Sequence, residues 1–162
     1  MVRLRVVTLS ILMLAAAFSA IAVAPTPAAA VGCSGTGCNG QDPGTTGCSS
    51  GSYTVYSVSK QFYASGNFWA TLRVDLRWSP TCKTNWARGV ITSSNPSNSS
   101  FQIQVYLQQV AAGGGYGTLW DTEYTGIGRQ VYGDMWYAPT QPLRACGHVN
   151  NFSGPSVCTA LG

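Results

Sequence analysis

Thr71-Leu72-Arg73-Val74-Asp75-Leu76-Arg77-Trp78-Ser79 is the stretch that decides the fold. Leu72, Val74, Leu76 and Trp78 share one parity, and Thr71, Arg73, Asp75, Arg77 and Ser79 share the other. Strict period-two alternation describes a strand with one face buried and the other in water. Phe101–Gln108 repeats the pattern, with Phe101, Ile103, Val105 and Leu107 set against Gln102, Gln104, Tyr106 and Gln108. Working outward, Tyr53–Phe62 is rich in Tyr, Val and Thr. Asn85–Thr92 reads as the return strand after a Ser79-Pro80-Thr81 turn, with Trp86, Arg88 and Val90 opposite Ala87, Gly89 and Ile91. Thr118–Thr125 and Arg129–Tyr137 are weaker strands around Gly126 and Gly128, and Pro139 and Pro142 end the regular part. No convincing helix is present. The expected fold is all-β, a small antiparallel β-sandwich or barrel of about six short strands with meander connectivity. The expected inward set is Leu72, Val74, Leu76, Trp78, Val90, Phe101, Ile103, Val105 and Leu107.

The rest of the chain divides around that β domain. Arg3 and Arg5, the apolar run Val6–Val23, and the small residues ending in Ala28-Ala29-Ala30 have the three-part form of a secretory signal peptide. The expected organisation is a cleaved leader at 1–30, a Gly/Cys-rich disulfide-tethered loop at 31–52, the β domain at 53–145 and a C-terminal tail at 146–162. The expected location is secreted and extracellular, with no membrane association after cleavage. A membrane anchor over Val6–Val23 and a lipid-modified Cys33 are the rivals.

Of 162 residues, 9 are Lys or Arg and 5 Asp or Glu. Both leader arginines removed, the net charge is +2, from seven against five, and it is scattered. This excludes the clustered basic footprint of a nucleic-acid-binding protein. High aromatic content with low net charge also excludes disorder.

Cys33, Cys38, Cys48, Cys82, Cys146 and Cys158 form an even set, and in an oxidising compartment three disulfides are the default. Six cysteines permit about 15 pairings. Cys146 with Cys158 is expected to close a C-terminal loop, and Cys82 to clip an N-terminal cysteine to the sheet. Zinc is disfavoured: Cys33-x4-Cys38-x9-Cys48 lacks short paired spacing, and the single histidine, His148, has no partner.

Two segments carry a family resemblance. Cys33-Ser-Gly-Thr-Gly-Cys38-Asn-Gly-Gln-Asp42-Pro43, followed by Leu76-Arg77-Trp78-Ser79-Pro80-Thr81-Cys82-Lys-Thr-Asn-Trp86-Ala87-Arg88, resembles the YjfA-like family, small secreted proteins of Gram-positive bacteria with a domain of unknown function. The resemblance spans roughly residues 33–145. It implies export and one compact domain; it implies no catalytic residue, cofactor or substrate. Read physically, Asp42 before Pro43 is placed to cap a turn. Trp86 and Arg88 share a parity, which would allow a cation–π contact.

Catalytic signals are weak. With all cysteines paired, His148 has no thiol partner. The carboxylates are Asp42, Asp75, Asp121, Glu123 and Asp134. Asp121 and Glu123 share a parity, so they are the candidates for an acid/base pair, which glycoside hydrolysis requires. No calcium loop or phosphate-binding glycine loop is legible, and Gly113–Gly115 is followed by neither Lys nor a helix. Aromatic residues are the better lead. Trp78 and Trp86 are expected in the core; Trp69, Trp120, Trp136 and Tyr137 are the candidates for an exposed binding surface. Gln102, Gln104, Tyr106 and Gln108 supply a polar strand face suited to hydroxyl groups. The preferred reading is a monomeric, non-enzymatic extracellular or cell-envelope binding module. No catalytic residue, metal or cofactor is expected. Its partner is cell-wall glycan or an extracellular protein. The alternatives are a small extracellular hydrolase using Asp or Glu, or a secreted inhibitor or effector.

Overall fold

The computed structural model describes residues 31–150, 152 and 154–162. The leader at 1–30 lies outside them. The first sheet begins with a meander of β1 (Tyr53–Ala64), β2 (Asn67–Ser79) and β3 (Thr84–Ser94). The chain then crosses to the second sheet, where β4 (Gln102–Val110) and β5 (Tyr116–Ile127) form a hairpin. It returns to β3 through β6 (Gln130–Tyr132) and β7 (Trp136–Tyr137), then closes the second sheet with β8 (Leu143–Val149) and β9 (Val157–Cys158). All pairings are antiparallel, in the orders β1-β2-β3-β6, with β7 also on β3, and β5-β4-β8-β9. The fold is therefore all-β: two antiparallel sheets packed face to face.

Three expectations are corrected. The connectivity is a meander only through β3. The free edge of β4 opposite β5 would be an open template for pairing, and β8 closes it in register from Ile103↔Val149 to Gln109↔Leu143. Regular structure does not end at Pro139 and Pro142: β8 runs across residue 145, so residues 146–149 and 157–158 belong to the sheet rather than to a tail. Arg129–Tyr137 is not one strand. Met135 leaves β3, and its N–H and C=O bond Gln41 O (2.9 Å) and Gly40 N (3.0 Å) in the N-terminal loop.

Leu72, Val74 and Leu76 of β2 and Ile103, Val105 and Leu107 of β4 are fully buried in the main core, with Phe101. Val90 is not among the buried residues and Trp78 is only half-buried. On β3 the core-facing row is Ala87, Gly89 and Ile91. A Cβ at Gly89 would lie 2.8 Å from Ile103 Cγ2, and one at Gly147 of β8 would lie 3.0 Å from Val74 Cγ2. Small residues face the core there because the sheets approach too closely for side chains. That row carries little apolar signal, which is why Val90 looked like the inward residue.

A second core lies on the outer face of the first sheet, where residues 33–48 fold over it. Cys38, Cys48, Cys82, Trp86 and Met135 are each fully buried there. Cys48–Cys82 ties the loop to the β2–β3 turn, Cys33–Cys38 closes its 3-10 turn, and Cys146–Cys158 joins β8 to β9. The last bridge, and the pairing of Cys82 with an N-terminal cysteine, are as expected. Cys33 sulfur is paired with Cys38. Asp42 Oδ1 accepts from Gly44 N and Thr45 N, both at 2.8 Å, as a turn cap does. Arg88 makes no cation–π contact with Trp86. It donates instead to the buried Asp75 carboxylate at 2.6 and 2.9 Å, joined by Arg73 at 3.1 Å.

Candidate functional site

The outer face of the second sheet is left open. Its floor is β4, whose outward residues Gln104, Tyr106 and Gln108 alternate with the buried Ile103, Val105 and Leu107. Register sets Gln104 beside His148, and Gln108 between Arg144 of β8 and Thr118 of β5. Gln104, Tyr106, Thr118, Trp120, Glu123 and His148 line one concavity of about 230 Å³.

An irregularity in β5 shapes this wall. Between the pairs Leu107↔Leu119 and Val105↔Tyr124, β5 advances five residues while β4 advances two. Thr122 turns inward and is fully buried. Its hydroxyl donates to Leu119 O (2.6 Å) and accepts from Leu107 N (2.9 Å), replacing a missing ladder bond. Simple alternation therefore fails between residues 119 and 124. Trp120 and Glu123 line the concavity together, whereas Asp121, sharing the parity of Glu123, does not. The expected Asp121/Glu123 pair is not brought together there.

The polar groups are pre-positioned. Gln104 Nε2 donates to Glu123 Oε1. Gln108 Oε1 accepts from Arg144 at 2.8 and 3.0 Å, and the Arg144 guanidinium lies 3.2 Å from the centroid of the Tyr116 ring. Tyr106 OH donates to Ser156 Oγ (2.9 Å), which also bonds His148 Nδ1 (3.2 Å). Burial is the main influence on His148 and holds its pKa below 6.5; the Glu123 charge acts the other way. At neutral pH the ring is therefore uncharged and offers one donor and one acceptor. Above this network Trp120 is 74% exposed.

The other aromatic candidates are elsewhere. Trp69 packs on the main core, its ring centroid 4.8 Å from that of Phe101 and 4.4 Å from that of Phe152. Trp136 also packs against the core. Tyr137 is half-buried over Gly35, and its N–H donates to Asn39 Oδ1 (2.7 Å). Of the four, Trp120 alone reaches the open face. Asp134 is absent from that face too. Its neighbour Met135 is bonded to the N-terminal loop, and burial, then the Asp42 charge, raise the Asp134 pKa.

Glu123, His148 and Thr118 were not legible as wall residues. The spacing of Gln104, Tyr106 and Gln108 marks the floor, but the inward row of β8 includes Ala145 and Gly147 and carries little apolar signal, and the β5 irregularity leaves no alternation. Among the described residues, the one cluster suited to a metal is Cys33, Cys38, Cys48 and Cys82, with sulfurs within 4.8 Å of one another; all four are in disulfides.

No curated protein and no solved structure matches the chain. A family model matches residues 36–145, from the 3-10 turn through β8's third residue, so it includes Trp120 and Glu123 and stops before His148. That match covers more than half of the sequence, and the chain belongs to the family described as protein of unknown function DUF2690.

Proposed function

We propose that this is a secreted, monomeric binding module of the YjfA-like type from a Gram-positive bacterium, and that it holds cell-envelope glycan on the outer face of its second sheet. One observation carries the reading: a tryptophan 74% exposed above a concavity lined by Gln104, Tyr106, Thr118, Glu123 and His148. Leaving an indole in water forgoes roughly 2 kcal/mol of burial, and here the ring stands beside fixed hydrogen-bonding groups, the combination a ligand site uses. An indole face matches the C–H face of a sugar ring, and fixed Gln, Glu and neutral His side chains suit hydroxyl groups. The leader at 1–30 supports export, and three disulfides are consistent with an oxidising compartment.

Co-sedimentation with purified bacterial cell wall and insoluble polysaccharides tests this. The oxidised protein is expected to pellet and Trp120→Ala to pellet less. Failure of the parent protein to pellet on any of these materials contradicts the reading.

A hydrolytic reading has one observation in its favour, the contact of Ser156 Oγ with His148 Nδ1 at 3.2 Å. Only one carboxylate, Glu123, lines the concavity, so paired-carboxylate glycoside chemistry lacks its second group. Soluble sugar released during the sedimentation assay, and lost in Ser156→Ala, would favour hydrolysis over binding.

A further inference from the structure

A second cleft, of about 360 Å³, opens at the end of the first sheet, away from the Trp120 face. Register delivers its wall in a row. Tyr53 of β1 pairs with Trp78 of β2, and Trp78 pairs with Asn85 of β3. Pro139, Gln141 and Pro142, on the segment between β7 and β8, close the other side. Tyr53 is 54% exposed and Trp78 half-buried, so two aromatic rings face the space.

Asn85 gives the cleft its chemistry. The residue is only 6% exposed and lines the space, and its side-chain amide makes no hydrogen bond to any described residue. Among the described residues the buried side-chain polar atom left without a partner is Trp86 Nε1, so the Asn85 amide reaches the cleft and is open to a ligand there. A carboxamide offers both a carbonyl acceptor and N–H donors. Its N–H can donate to a ligand carbonyl, and its oxygen can accept from a ligand N–H or O–H. None of the ten lining residues has a charged side chain.

We infer that this cleft binds the acetamido group of an N-acetylated hexosamine. The acetamide carbonyl accepts from the Asn85 amide N–H, its methyl rests against Pro139 and Pro142, and the sugar ring lies on Trp78 and Tyr53. Gln141, exposed at the rim, is in reach of ring hydroxyls. The site shares no residue with the Trp120 concavity, so either can exist without the other.

The test follows side-chain nitrogen–proton NMR signals of the full oxidised protein during titration with N-acetylglucosamine, glucose and an N-acetylated lysine amide. Saturable shifts at the Asn85 amide and the Trp78 indole with N-acetylglucosamine alone are expected. Asn85→Asp, which removes the donor, should weaken binding about tenfold. Gln141→Ala lies on an exposed segment where folding is not at stake, and should weaken it by a factor of about three. Trp120→Ala should leave the titration unchanged, which separates this site from the glycan face. The inference is overturned by silent Asn85 and Trp78 signals, by equal shifts with glucose, or by shifts with the acetylated lysine and none with the sugar.

Discussion

The outer faces of the two sheets have opposite fates. On the first sheet, Trp86 is fully buried because residues 33–48 fold over it and Cys48–Cys82 holds them there. On the second sheet, Trp120 stands 74% exposed, with no covering loop among the described residues and a polar floor beneath it. Both residues are outward tryptophans on long strands. The difference lies in what the chain supplies above each: a disulfide-tied cap over one, and solvent over the other. An indole buried by the chain itself is structural, whereas one left open beside oriented hydrogen-bonding groups is available to a ligand.

The sharpest way to break this comparison is to remove the indoles. Trp86→Ala should destabilise the fold by about 3–5 kcal/mol, read as a lower denaturant midpoint, because it empties the second core. A loss below about 1 kcal/mol would mean the cap is not packed on Trp86 as described. Replacing Cys48 and Cys82 together by serine should cost about 2–4 kcal/mol and expose the loop to proteolysis, while the Trp120 face keeps its ligand. Loss of binding in that variant, at a temperature where it remains folded, would show the two faces to be coupled.

The next effect is smaller and depends on pH. Burial holds His148 below its ordinary value of 6.5, so protonation is disfavoured in the folded state. The stability this contributes is fully present above pH 6.5 and declines as pH falls through that value toward the lowered one. His148→Gln should flatten that acid-side decline in thermal melts. An unchanged profile would place the titrating group elsewhere. The smallest expected effect is the thermal stability of Trp120→Ala, which should stay within about 0.5 kcal/mol of the parent because the ring is 74% exposed.

The contrast between the faces was half legible in the sequence. Strong alternation at Thr71–Ser79 and Phe101–Gln108 located β2, β4 and most of the core, because large apolar side chains every second residue leave an unmistakable period. Strand β8 was missed because its inward row is Leu143, Ala145, Gly147 and Val149, two of them too small to signal burial, and because it follows two prolines. The parity of β3 was misjudged for the same reason at Ala87 and Gly89. The candidate site was visible through Trp120 and the β4 glutamines. Its Glu123 wall was not, since the Thr122 hydroxyl replaces a ladder bond and shifts the phase of β5. Trp69, Trp136 and Tyr137 looked equivalent to Trp120 because local sequence does not show which strand face the N-terminal loop or Phe152 will cover.

The most direct measurement follows the indole N–H signals of the five tryptophans while soluble cell-wall glycan strands are added. The account predicts that Trp120 shifts saturably while Trp86 stays in place, with His148 and the Gln104 amide moving alongside Trp120. A Trp120 signal that remains still while the glycan binds elsewhere, or no binding at all, would contradict it.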